Sequence, residues 1–127
     1  MITETIKTFE DACKALNINP DALPDVSALP EKHRKAIVAN YKLITITEAL
    51  NEGWQPNWND GSEYKYQPWF EIKASKEQPS GFGFSGSFCA DWYTAADCGS
   101  RLCFKSRELC LYAIKQFEEL YIDYYLI

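Results

Sequence analysis

The chain has 127 residues, of which 46% are hydrophobic and 15% aromatic, and its formal net charge is −5. That length and apolar share fit one domain around one core and exclude a disordered chain, while the acidic balance works against nucleic acid and anionic membranes as partners. No apolar run reaches the roughly eighteen residues a membrane span needs, and the N-terminal residues lack the basic-then-apolar pattern of an export signal, so a cytoplasmic protein is expected.

In chain order, Thr8 with Asp11 forms a capping-box variant, and Phe9, Ala12, Cys13 and Leu16 recur at helical spacing, which predicts a short helix over 9–16. Residues 17–29 carry Pro20 and Pro24 among Asn and Asp and read as a connection. Pro30 opens the longest helix, which runs uninterrupted to Glu52 before Gly53 stops it. Its apolar positions are spread too widely for one stripe, so it is expected to pack on two sides.

An indole-rich loop follows, with Trp54, Pro56, Trp58, Asn59 and Gly61, and strand periodicity begins near Tyr64. Phe70, Ile72 and Ala74 alternate with Trp69, Glu71 and Lys73 in a first strand. Phe82, Phe84, Phe88, Ala90 and Trp92 occupy even positions of a second, bent or bulged at Gly86. Leu102 and Phe104 alternate with Arg101, Cys103 and Lys105 in a third. Ser106 caps a last helix whose apolar positions, Cys110 to Tyr124, follow helical spacing to the end of the chain.

The predicted fold is therefore α+β, a three-stranded antiparallel meander with helices packed on one face, in the order α-α-β-β-β-α. Its expected inner face is Phe70, Ile72, Phe82, Phe84, Phe88, Leu102 and Phe104. Residues 1–127 form a single domain, with 1–29 as a short helix plus connection and 30–127 as the main core.

Few residues point to chemistry. Gly81, Gly83 and Gly86 satisfy a dinucleotide-binding spacing but lie inside a strand, where no helix starts on them. The run Gly81-Phe82-Gly83-Phe84 resembles the centre of the RNA-recognition-motif octamer, yet Ser80, Ser85 and Ser87 stand where that motif needs a basic, an aliphatic and an aromatic residue. The five cysteines form no CxxC pair and His33 is the only histidine, so no metal site, cofactor or catalytic residue is assigned. Stacking surfaces are offered by Trp54, Trp58 and Trp69, with Arg101 and Lys105 as nearby cations, a set suited to a small ligand or a single strand of nucleic acid. Tyr121, Tyr124, Tyr125, Leu126 and Ile127 give the C-terminus more apolar surface than one helix stripe uses, which predicts contact with a protein partner or a homodimer.

Two regions carry a resemblance. The segments ITEALNEGWQPNW (Ile46 to Trp58) with YQPWF (Tyr66 to Phe70), and GSRLCFKSRELCLYAIKQ (Gly99 to Gln116), resemble a group of uncharacterised small proteins of gut Bacteroidetes and their prophages and phages. The resemblance covers about the last two-thirds of the chain and implies a bacterial or phage cytoplasmic origin. It implies no activity and transfers no catalytic residue. The expected function is that of a non-enzymatic accessory or interaction protein, with a small-ligand or single-stranded nucleic-acid binding module as the alternative.

Overall fold

The Thr8 hydroxyl accepts from Asp11 N–H at 3.0 Å while Asp11 Oδ2 accepts from the Thr8 and Lys7 amides at 3.1 and 3.0 Å, so the capping box closes in both directions. It starts helix α2 (Phe9–Leu16), which ends where Asn17 turns left-handed at φ 57°. A four-residue turn, α1 (Ile2–Thr5), precedes it. These and the following elements belong to a computed structural model describing residues 1–127.

Helix α3 (Glu31–Asn51) begins after Pro30 and stops at Glu52 and Gly53, which hold φ of 50° and 85°. Arg34 fastens the preceding connection by donating to Leu29 O and Ser27 O, each at 3.0 Å. One side of α3 meets α2, where Phe9 and Tyr41 make an edge-to-face pair. The other meets the C-terminal helices, and Leu43, Ile46 and Leu50 are buried between. Each such side chain contributes about 1.5–3 kcal/mol by leaving water.

The sheet has two strands, β1 (Lys65–Lys73) and β2 (Gly83–Trp92), paired antiparallel. The predicted third strand is not formed. Residues 102–104 contribute a single bridge, in which Tyr66 and Phe104 exchange both backbone bonds at 3.0 and 2.7 Å. The physical reason is room: the turn through Gly99 and Arg101 lies on one side, and Ser106 caps helix α4 (Arg107–Gln116) on the other, leaving too few residues for a ladder. The far side of this segment is satisfied by a side chain. Asn51 Nδ2 donates to Cys103 O at 2.9 Å and its Oδ1 accepts from Lys105 N at 3.1 Å, so one buried carboxamide stands where a neighbouring strand would be.

The predicted last helix is also two. Phe117, at φ −117° and ψ 27°, separates α4 from α5 (Glu118–Tyr125). The end of α4 is tied to the N-terminal segment, because Gln116 donates to Lys7 O at 2.8 Å and the Tyr112 hydroxyl donates to Ile6 O. The observed order is thus three helices, two strands and two helices, an α+β fold.

The expected inner face is corrected at the bulge. Opposite β1, the register steps from Glu71↔Gly86 to Ile72↔Phe84, so Ser85 is extra and the alternation of β2 inverts there. Phe84 remains under the helices, stacked on Phe70 at 4.1 Å, and Phe70 in turn meets Tyr121 at 5.2 Å. Phe88 turns to the opposite face and stacks on Trp69 at 6.0 Å, half exposed. Ile72 and Phe82 are exposed as well, because the far end of the hairpin extends past the helix layer. Leu102 and Phe104 are buried as expected.

Candidate functional site

Backbone direction along β1 decides what its outer edge can do. Tyr66 turns its amide and carbonyl away from β2 toward Phe104, whereas Lys73 O accepts from Phe82 N at 2.9 Å on the β2 side. Alternation therefore points the backbone groups of Pro68, Phe70 and Ile72 outward, and no hydrogen bond outside the β1–β2 ladder engages them. Pro68 has no N–H to leave open and sits where an edge strand tolerates proline. Beyond the single bridge at Tyr66, the edge of β1 is unpaired.

A groove of 310 Å³ runs beside this edge. Trp69, Phe70, Ile72 and Phe84 form its strand side, and Tyr124 and Tyr125 of α5 face Cys98 and Leu102 across it. Desolvation pushes the Cys98 thiol and the Tyr125 hydroxyl each up to about 12, so both are neutral at physiological pH. Asp97 is the one acid in the lining. The groove thus offers aromatic and aliphatic contact with a single negative group, and its protonated thiol is no nucleophile.

The five residues predicted to bind a ligand lie in four environments. Trp69 is 41% exposed on the groove and the outer sheet face. Trp54 and Arg101 share a separate cavity of 360 Å³ with Glu48 and Asn51. Trp58 donates its indole N–H to Ser100 Oγ at 2.7 Å and covers Lys65, whose Nζ lies 5.4 Å from its ring centroid. Lys105 reaches Glu52 at 3.7 Å. Of the predicted interface residues, Tyr121 is 2% exposed and part of the core, Tyr124 and Leu126 are half buried, and Tyr125 and Ile127 are exposed.

Lys65 is a residue that alternation did not single out. It is wholly buried, yet its ammonium donates to Asp60 O at 2.8 Å and Tyr93 O at 2.7 Å, with Glu63 at 3.5 Å. These bonds satisfy the buried charge and pin the indole loop against the end of β2. Gln67, its neighbour on the same face, accepts from Cys98 N at 3.4 Å. The first half of the outer sheet face is therefore roofed by loops, and only the half carrying Trp69 and Phe88 is bare.

Ser62 Oγ donates to Asp60 Oδ1 at 2.5 Å within an exposed turn, and no Ser, Thr or Cys side chain hydrogen-bonds to the only histidine. His33 is exposed near the start of α3, and no group of three or more His, Cys, Asp or Glu gathers with metal-holding geometry. The thiols are unpaired, and burial raises those of Cys103, to about 11, and Cys13, whereas that of Cys89 is lowered by its contact with Cys110. No helix is long and apolar enough to cross a membrane. No protein-family model matches the chain, and no match was found among curated proteins or solved structures.

Proposed function

We propose that this chain is a non-enzymatic accessory protein that works by protein–protein contact, with the unpaired edge of β1 and the groove beside it as the contact surface. The observation that carries this reading is the coincidence of open backbone donors and acceptors on Phe70 and Ile72 with an apolar groove walled by Trp69, Tyr124 and Tyr125. Strand edges and aromatic-lined grooves are what proteins use to take up another chain, and folded monomers ordinarily blunt such edges. The exposed Tyr125 and Ile127 extend the same surface at the C-terminal end. The resemblance to small proteins of gut Bacteroidetes and their phages supports a bacterial or phage setting for this role.

The test is a photocrosslinking amino acid placed at Tyr125, compared with the same group at exposed Leu23, which does not line the groove, in cells expressing the whole chain. Discrete adducts from position 125 and none from 23 are expected. Equal labelling from both positions, or none from either, would overturn the reading.

A second reading rests on the cavity that Trp54 and Arg101 share, since an indole beside a guanidinium suits a small anionic or aromatic ligand. Indole emission of a Trp54→Phe variant against the parent, titrated with mononucleotides and short oligonucleotides, tests it. Emission that stays unchanged in the parent would remove this reading.

A further inference from the structure

We propose that the occupant of the β1 edge is a second copy of this chain, paired antiparallel through Phe70 to Ala74 with the two-fold axis at Ile72. The proposal rests on the protein-contact reading above and names its partner.

Charge and proline separate the symmetric registers that bring the outward-facing groups of this edge together: centring on Lys73 sets lysine against lysine, and centring on Trp69 sets Phe70 against Pro68. Centring on Glu71 sets Glu71 directly against Glu71 of the second copy, a like-charge pair. With Phe70 at the centre, Ile72 lies opposite Pro68, whose missing N–H wastes a bond at each end, and Trp69 faces Glu71. Placing Ile72 on the axis avoids both defects. Ile72 then exchanges both backbone bonds with Ile72 of the second copy, Phe70 exchanges with Ala74, and Pro68 falls outside the pairing.

In that register Glu71 stands opposite Lys73 on each side of the axis, at a position whose side chains approach closely because it is not the hydrogen-bonded pair. The hairpin is thus self-complementary in charge over the residues whose backbone is open. Both side chains lie on the outer sheet face with Trp69, where Lys73 already sits 5.5 Å from the Phe82 ring and Glu71 covers Gly86. Pairing also covers Ile72, now 53% exposed, and turns a two-stranded sheet, marginal by itself, into a continuous four-stranded one.

The experiment is sedimentation equilibrium across a concentration series on the full chain, its Lys73→Glu variant and the Glu71→Lys/Lys73→Glu double variant, with circular dichroism to confirm that each is folded. The parent is expected to approach twice its 14.6 kDa chain mass. Lys73→Glu sets acid against acid at both symmetric positions and is expected to weaken association about tenfold, while the double swap restores it. Amide exchange at Phe70 and Ile72 is expected to slow as concentration rises. A parent that stays monomeric, or a dimer indifferent to Lys73→Glu, overturns the proposal.

The crosslinker at Tyr125 separates this failure from failure of the broader reading. Adducts of twice the chain mass are expected here. Adducts only with a different protein sink the self-pairing and keep the contact surface, and no adduct sinks both.

Discussion

Replacing Asn51 with alanine tests whether one side chain substitutes for a missing strand. Asn51 is 4% exposed at the end of α3, and its carboxamide closes two bonds to the backbone on either side of Phe104, at 2.9 and 3.1 Å. Alanine leaves the buried Cys103 carbonyl and the partly buried Lys105 amide without partners, each costing about 1–3 kcal/mol. Some of the Lys105 loss is recovered from water, which brings the expected destabilisation to about 2–4 kcal/mol. For a domain of this size that is a fall in melting temperature of roughly 8–15 °C. Aspartate is the sharper probe. It keeps the acceptor for Lys105 N–H but faces the Cys103 carbonyl with a second oxygen and puts negative charge at the C-terminal end of a helix. Asn51→Asp is therefore expected to cost at least as much as Asn51→Ala. Urea denaturation of both variants measures this, and amide exchange at Tyr66 and Phe104 is expected to accelerate in step with the loss. Variants within about 0.5 kcal/mol of the parent, the range of ordinary surface changes, would refute the strand-substitute role.

Lys65→Met keeps the aliphatic stem but strips two carbonyls of their donor, so a loss of about 2–4 kcal/mol is expected by urea denaturation, together with faster proteolysis between 57 and 63. Gly81→Ala places a Cβ 2.5 Å from Ile72 Cγ2 and 3.3 Å from Leu126 Cδ2 at a φ of +104°, so the hairpin turn must shift, and a loss of about 2 kcal/mol or more is expected in thermal melts. At pH 8 the thiols of Cys98 and Cys103, pushed up to about 12 and about 11, are expected to resist iodoacetamide in the folded chain and to react on denaturation, with labelling read by peptide mass. Asp11 is held below its usual 3.8 chiefly by the Lys7 amide, so its contribution to stability is present above that value and lost as pH falls through its folded midpoint. An Asp11→Asn variant is expected to show a shallower acid-side decline in denaturation curves than the parent.

Local signals in the sequence carried the elements whose causes are local. The capping box at Thr8 and Asp11, the Pro30 start of α3 and its stop at Gly53, and the Ser106 cap of α4 are each decided by neighbouring residues, and each forms where expected. What periodicity could not supply was parity across a bulge. Counting even positions through Ser85 put Phe88 beside Phe84, but the extra residue reverses the faces, so Phe88 joins Trp69 outside. The third strand failed for a related reason. Alternation over Arg101 to Lys105 is present, yet whether such a segment forms a ladder depends on the space between a turn and a cap and on Asn51, distant in sequence, supplying the bonds. Lys65 was invisible because a lysine in a strand ordinarily faces water, and its burial is created by the loop carrying Asp60 and by Tyr93. One clue to the groove was present all the same: Pro68 within the first strand marks an edge.

The length of the hairpin relative to its support explains why the unpaired edge of β1 lies where it does. Helix α5 ends at Tyr125, beneath Phe70, and past that point Ile72 and Phe82 are exposed, with Gln78, Gly81 and Phe82 bordering a cavity shared with the start of α3 and with Ile122, Asp123, Leu126 and Ile127. A sheet edge is normally protected by charge pointing along it, by a bulge that twists it away, or by cover from a helix or loop. Here the bulge is on β2, the wrong strand to protect β1, and loop cover over β1 ends near Gln67, where Cys98 N–H reaches its side chain. Pro68 blocks one position and leaves Phe70 and Ile72 open. The remaining protection is Glu71 and Lys73, and two opposite charges two residues apart repel random edges poorly while matching an antiparallel copy of themselves. An edge defended only by a self-complementary pair is what the proposed self-pairing requires, and the charge swap at those two positions is what tests it.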